Sequence, residues 1–115
     1  MPMVVRAFPV LPGKEENVRA LASEMAGSRR AEASEFYGRF GVRHESWHLQ
    51  QTPHGPWVIA VTELSGEPQK VAQDYAKSEQ PFDRWFKTQV LELSGIDPDC
   101  EPLGPPTETL LDWQD

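Results

Sequence analysis

The pattern of apolar and polar residues predicts a strand followed by two helices in the first third of the chain. Residues 3–10 form a short apolar run that ends in prolines, as is typical of a strand. Residues 14–26 change to the period of an amphipathic helix. The apolar stripe of this helix comprises Val18, Leu21, Ala22 and Met25. Gly27 and Ser28 are expected to interrupt it, and the pattern is helical again over residues 29–37.

Residues 42–64 are predicted to form a β-hairpin, because two strand-like runs meet there at the turn residues 53–56. The loop has either two residues, 54 and 55, or four residues, 53 to 56. Pro56 favours four, because it has no N–H to give to the ladder. Both choices place Ser46 opposite Glu63 and His48 opposite Val61. Both also give the same two faces, because the side-chain period of a strand is two.

Each face of this hairpin mixes large apolar side chains with polar ones. One face carries His44, Ser46, His48, Gln50, Trp57, Ile59, Val61 and Glu63. The other carries Arg43, Glu45, Trp47, Leu49, Val58, Ala60, Thr62 and Leu64. An ordinary exposed sheet face would be more uniformly polar. We therefore expect one face to be covered by the chain's own helices and the other by a second copy, because one short domain lacks the material for two covers.

The last half of the chain is predicted to contain two helices and a final strand. Residues 68–78 have a helical pattern, and Pro81 starts another helix, where its missing N–H costs nothing. The stripe of this second helix comprises Phe82, Trp85, Phe86, Val90 and Leu93, and Gly95 follows as its C-terminal cap. Residues 96–106 contain four prolines and are expected to form a loop. Residues 107–113 are expected to form the last strand.

Length and composition limit the class of protein. At 115 residues the chain is expected to form a single domain over residues 1–115. The net charge of −7 argues against a nucleic-acid partner, because phosphate binding needs clustered Lys and Arg. No apolar run has the roughly 20 residues needed to cross a bilayer, and no secretory signal pattern is present, so we expect no membrane partner and a cytoplasmic location. Cys100 is the only cysteine, and its neighbours Asp99 and Glu101 would raise the pKa of its thiol.

Two segments carry a resemblance to a known superfamily. Residues 45–53 (ESWHLQQTP) and 82–87 (FDRWFK) resemble a small bacterial family of unknown function within the dimeric α/β-barrel superfamily, and the resemblance covers most of residues 3–113. The predicted order of strand, helices, strand, strand, helices and strand is the split β-α-β unit of ferredoxin-like folds, an α+β protein with a four-stranded antiparallel sheet and helices on one face. The resemblance implies a dimeric α/β barrel, a homodimer in which two such sheets pack face to face. The superfamily includes cofactor-independent monooxygenases, haem-degrading enzymes and muconolactone isomerases, so it does not transfer one function.

Metal and nucleophile chemistry are disfavoured by the spacing of the polar residues. His44 and His48 lie on one face of the same strand, roughly 13 Å apart at about 3.3 Å per residue, so one ion cannot bind both. No pattern selects haem, and no metal or cofactor is expected. Ser46, Glu63 and the histidines supply the residue types of a nucleophilic triad. A flat sheet face, however, offers no oxyanion hole, and a polar cluster at a dimer interface is the preferred interpretation.

Acid–base chemistry on a small aromatic or lactone substrate is the sharper hypothesis, either monooxygenase-like or isomerase-like. Glu45, with its pKa raised by desolvation, could act as the acid or base on one face, and His48 or His44 with Glu63 could do so on the other. In the monooxygenases that the chain resembles, the pocket lies between sheet and helices, which favours the face of Glu45 and Trp47. Glu45 and His48 are therefore the candidate catalytic residues. Trp47, His44 and Glu63 are the candidate substrate-binding residues. The alternative is a non-enzymatic structural or regulatory homodimer, in which Glu45 pairs with Arg43, Lys87 or the second copy. A pocket of several hundred Å³ lined by Glu45 and Trp47 would favour the first hypothesis.

Overall fold

The computed structural model describes residues 2–115, which form a three-stranded antiparallel sheet and four helices. The strands are β1 (Met3–Pro9), β2 (Val42–Thr52) and β3 (Gly55–Leu64). The helices are α1 (Glu15–Ala26), α2 (Arg30–Arg39), α3 (Pro68–Lys77) and α4 (Pro81–Ser94). The predicted strand-like runs over residues 3–10 and 42–64 and the four predicted helices are thereby confirmed, with their ends shifted by one or two residues.

The ends of the helices follow from local chemistry. Pro68 and Pro81 lie in the first turns of α3 and α4, where a missing N–H leaves no hydrogen bond unmade. Gly95 ends α4 with a φ of 75°, the left-handed conformation that glycine adopts readily, and its N–H donates to the Leu91 carbonyl at 2.8 Å. None of the helices formed by residues 2–115 has both the length and the apolar character needed to cross a membrane.

The register of the hairpin differs by two residues from the predicted one. The turn consists of Pro53 and His54, and Thr52 pairs with Gly55, whose φ is 107°. Ser46 therefore lies opposite Val61 rather than Glu63. Because a shift of two residues preserves the side-chain period, the two predicted faces are kept along most of the hairpin.

The predicted fourth strand, residues 107–113, is wrong. The sheet order is β1-β3-β2, and within residues 2–115 the C-terminal region pairs with the free edge of β1 through an isolated bridge between Arg6 and Pro106 instead of a strand. Thr107 Oγ1 then donates to the Val5 carbonyl at 2.7 Å, and no ladder continues. Consecutive prolines at 105 and 106 supply no N–H at the point where pairing would begin. The four-stranded ferredoxin-like sheet of a dimeric α/β barrel is therefore not formed by residues 2–115.

All four helices cover the same face of the sheet. The core between them contains Leu21, Met25, Ala33, Phe36, Tyr75, Phe86 and Leu93. Phe36 lies at its centre, with its ring centroid 5.1–5.4 Å from those of Tyr37, Phe40, Phe82 and Phe86. On the opposite face none of these helices covers the central side chains, such as Ile59 and Val61, which are half buried. The helix-covered face is thus where a buried site can form.

Candidate functional site

The Glu45 carboxylate lies between the sheet and the helices, and neutral groups bind both of its oxygens. Thr62 Oγ1 donates to Oε1 at 2.5 Å, and Trp47 Nε1 donates to Oε2 at 2.7 Å. Thr62 is directly opposite Glu45 in the β2–β3 pair, so the ladder itself positions the carboxylate. Within residues 2–115 Glu45 forms no ion pair, and Lys87, one of the partners considered for it, binds Asp99 instead.

Burial raises the pKa of Glu45, as the sequence predicts. Desolvation is the largest influence on this pKa, and hydrogen bonds from Thr62 and Trp47 lower it only in part. The Trp47 ring is itself held by a stacked contact with Phe86, at 6.0 Å between ring centroids. Glu45 is therefore a fixed carboxyl group that binds a proton more readily than an exposed glutamate does.

A cavity of about 170 Å³ lies beside this carboxyl group. Its aromatic walls are Phe8, Phe36, Tyr37, Phe40, Trp47, Tyr75 and Phe86. Glu45, Thr62 and Arg6 are among the few polar side chains that line it. Glu45 and Trp47 line the cavity as expected, but its volume is smaller than the several hundred Å³ that were expected to favour a ligand site and that are typical of drug-sized ligands. An apolar cavity of about 150 Å³ accommodates benzene, so this one suits a ligand with a single ring.

Arg6 is the cavity residue that the sequence interpretation missed. It lies on β1 opposite Ala60, with Val4 and Phe8 two residues away on the same face. Its Nη1 donates to the Val5 carbonyl at 3.1 Å, whereas its Nε is buried and has no partner within residues 2–115. Burial lowers the pKa of the guanidinium. The sequence does contain a sign of this role, because Arg6 is a charged residue on the same face of the first strand as the apolar residues Val4 and Phe8.

The other predicted site residues lie on the opposite face of the sheet. His44 and His48 are exposed, and Glu63 is half buried opposite His44. His48 Nε2 is 3.0 Å from Ser46 Oγ. The structure therefore brings together Glu45 and Trp47 but separates them from His44, His48 and Glu63 by the thickness of the sheet. The two candidate catalytic residues, Glu45 and His48, do not share a site within one chain.

A β-bulge changes the start of β2. The register shifts between Val42, which pairs with Leu64, and His44, which pairs with Glu63. As a result Val42 lines the cavity, and Arg43, predicted on the same face as Glu45, is exposed instead. The pairing of Glu45 with Arg43 considered from the sequence is therefore not formed, and the cavity gains an apolar wall at this end.

Two other chemistries were considered from the sequence. Within residues 2–115 no group of three or more His, Cys, Asp or Glu side chains could hold a metal ion. Ser46 contacts His48, but Glu63 is not opposite Ser46, so the order of a nucleophilic triad is not formed. Negative charge, chiefly that of Asp97, raises the pKa of the exposed Cys100 thiol, which disfavours its reactive thiolate form.

The structure defines an α+β protein with an apolar cavity between a three-stranded sheet and its helices. Compared with known proteins, the chain matches no family model, no curated protein and no solved structure. The resemblance of residues 45–53 and 82–87 to a small bacterial family stays a prediction. Any functional conclusion therefore has to come from the chemistry of the cavity.

Proposed function

We propose that the protein binds a small aromatic or lactone molecule in the cavity and that Glu45 exchanges a proton with it. One observation carries this proposal: a half-buried carboxyl group that only neutral donors hold faces an apolar space large enough for one ring. A purely structural carboxylate at such a depth is normally paired with a cation. Glu45 is not paired in that way within residues 2–115.

The hydrogen bonds of Glu45 leave room for a reaction. Each carboxylate oxygen has two lone-pair sites, and the bonds from Thr62 and Trp47 occupy one on each oxygen. The remaining sites can accept a proton from a phenol or from an acidic C–H of a lactone. A pKa raised towards neutrality also improves a carboxyl group as a general base and, once protonated, as a general acid. Both the isomerase-like and the monooxygenase-like hypotheses begin with such a proton transfer.

Ligand binding by freshly purified protein tests this proposal. Native mass spectrometry reveals a co-purified molecule, and a thermal-shift series with phenol, catechol, benzamide, benzoate and a five-membered lactone detects binding through the rise in Tm. We expect at least one of these compounds to raise the Tm of the wild type and Glu45→Gln to change that shift. Glu63→Gln, on the opposite face, is the matched control and should leave it unchanged. A panel in which no compound binds, or in which Glu45→Gln and the wild type respond alike, contradicts the proposal.

The second candidate is a non-enzymatic homodimer, and a separate feature favours it. Residues 107–115, here called the C-terminal arm, extend beyond the edge of β1 with apolar side chains exposed. Leu110, Leu111 and Trp113 are 86%, 82% and 75% exposed. Exposed apolar residues grouped in one short segment mark an interaction site. We propose that a second copy covers this arm together with the helix-free face of the sheet.

The size of the sheet face supports a role for the arm in such a dimer. At about 4.8 Å between strands and about 3.4 Å per residue, strands of 7, 11 and 10 residues offer a flat area of roughly 460 Å². A stable dimer buries about 800 Å² on each partner. The face alone is therefore too small, and the arm supplies the additional apolar area.

A cytoplasmic location stays part of this proposal, since the single Cys100 forms no internal disulfide that needs an oxidising compartment.

Light scattering on the full chain and on a variant that ends at Pro106 tests the dimer. We expect a dimer for the full chain and a folded monomer for the shortened one, because the arm has few contacts with its own chain. Leu110→Asp should weaken the dimer, whereas Leu91→Asp, on an exposed part of α4, should not. A full chain that stays monomeric at high concentration contradicts the proposal.

A further inference from the structure

Arg6 differs from every other arginine that the structure describes. Four arginines bind carboxylates: Arg19, Arg29, Arg39 and Arg84. The remaining two, Arg30 and Arg43, are exposed to solvent. Arg6 lines the apolar cavity and forms no ion pair within residues 2–115. The chain has 18 acidic residues against 11 basic ones, so a shortage of carboxylates does not explain this arrangement.

The hydrogen bonds of Arg6 are also incomplete. A guanidinium has five N–H donors, and only Nη1 has an acceptor within residues 2–115, the Val5 carbonyl. The Nε donor is buried and unpaired. Buried donors are almost always hydrogen-bonded in native proteins, and an unpaired one is costly. An acceptor from outside this part of the chain would remove that cost.

We propose that the cavity binds a small one-ring carboxylic acid, with its carboxylate on Arg6 and its opposite end at Glu45. This inference rests on the proposed function and adds the chemical class of the ligand. The planar guanidinium matches a carboxylate through two parallel hydrogen bonds, and these bonds strengthen in an apolar setting. A ligand carboxylate would also neutralise Arg6, the one cationic side chain among the described residues that line the cavity.

Charge favours a carboxylate over a phosphate. A phosphate monoester carries close to two negative charges at neutral pH, whereas the cavity offers one guanidinium. Glu45 adds negative charge to the same cavity whenever it is ionised. A singly charged carboxylate balances Arg6 without repelling Glu45 as strongly. The far end of the ligand is then a group that Glu45 binds or deprotonates, a hydroxyl or an acidic C–H.

The sheet register places the two polar residues at a suitable separation. Arg6 lies opposite Ala60 on β3, and Glu45 lies opposite Thr62, two residues further along the same strand. Two strand spacings and two residues separate their Cα atoms by roughly 12 Å. Between them Ala60 also lies opposite Trp47, and its small side chain leaves space over the middle of the sheet. A single ring fits between the two polar side chains, over Ala60.

Isothermal titration with matched ligands tests this inference. The probes are benzoate, its neutral analogue benzamide, 4-hydroxybenzoate and phenol. We expect the wild type to bind benzoate at least about tenfold more tightly than benzamide, because charge-assisted hydrogen bonds are added. Arg6→Gln should abolish this preference and leave benzamide binding unchanged. Arg6→Lys keeps the charge but loses the planar guanidinium, so it should keep only part of the preference for benzoate. This variant replaces Arg6→Gln in the test if Arg6→Gln folds poorly.

The outcomes separate this inference from the proposed function. Arg43→Gln, which removes an exposed arginine from the same sheet, is the control and should keep the preference for benzoate. If ring compounds bind the wild type but the carboxylate is not preferred, this inference is wrong and the proposed function still stands. The same holds if Arg6→Gln and Arg6→Lys both keep the full preference for benzoate. If no ring compound binds the wild type, the proposed function fails and the inference fails with it.

Discussion

Asp83 and Arg39 form a two-pronged ion pair that joins α4 to the end of α2. Arg39 Nη2 donates to Oδ1 at 2.7 Å and Nη1 donates to Oδ2 at 3.0 Å. The Asp83 side chain is fully buried, and the Ser78 hydroxyl also donates to it. The pair therefore ties together α2 and α4, which supply Phe36 and Phe86 to the cavity wall. Its strength bears on the shape of the cavity as well as on stability.

Asp83→Asn should lower the free energy of unfolding by about 2–3 kcal/mol, because hydrogen bonds to a buried charged group are lost. Asp74→Asn is the matched control. Its ion pair with Lys70 is exposed, and its loss should change the free energy by less than about 0.5 kcal/mol. Urea denaturation of both variants measures the difference. Equal effects would show that the Asp83–Arg39 pair adds nothing beyond a surface ion pair.

Acid should destabilise the protein partly through Asp83. Burial alone would raise the pKa of this carboxyl, but hydrogen bonds from Arg39 and Ser78 outweigh burial and lower it. The folded state therefore binds this proton less readily than the unfolded state, whose pKa is about 3.9. The resulting stability is present above that value and is lost as pH falls through the lowered pKa. Urea denaturation between about pH 6 and pH 2.5 should show a smaller acid loss for Asp83→Asn than for the wild type.

Glu45→Gln should stabilise the ligand-free protein at neutral pH. Burial raises the pKa of Glu45, so its contribution to the free energy of unfolding falls as pH rises through that pKa. An amide avoids this ionisation, and it keeps both hydrogen bonds if the Thr62 hydroxyl turns to accept one. Thermal unfolding should give a Tm increase that is larger at about pH 8 than at about pH 5. A Tm that is lower than that of the wild type at both pH values would contradict this prediction.

Gly104→Ala should destabilise the loop that packs on β1. Gly104 has a φ of 79°, and an added Cβ would lie 2.3 Å from the Phe8 ring. Left-handed backbone and overpacking each cost alanine about 1–2 kcal/mol, so we expect a loss of at least about 2 kcal/mol. Gly66→Ala is the control, because an added Cβ there meets nothing within 4 Å. Similar urea midpoints for the two variants would contradict the close contact with Phe8.

The sequence located half of the candidate site. Because side chains alternate between the two faces of a strand, the sequence placed Glu45 and Trp47 on the same face of β2, and the structure confirms this placement. The error in the predicted register did not change it, since the error was two residues. The same alternation placed His48 on the opposite face. The candidate residues therefore belong to two different sites, which a single chain cannot bring together. The charged residue Arg6 is in phase with Val4 and Phe8, but it was overlooked because the sequence does not show that β1 pairs with β3 and so lines the same cavity as β2.

The hydrophobic pattern by itself predicted the seven helices and strands of residues 2–115, because helical and strand periods are local properties that seven to fourteen residues express. Only the tertiary structure decided which strands pair, where the hairpin turns, and that the last segment runs free beyond Pro106. Those outcomes depend on competition between distant groups for the same hydrogen bonds and the same buried area. The meeting of Arg6 and Glu45 at one cavity is such an outcome.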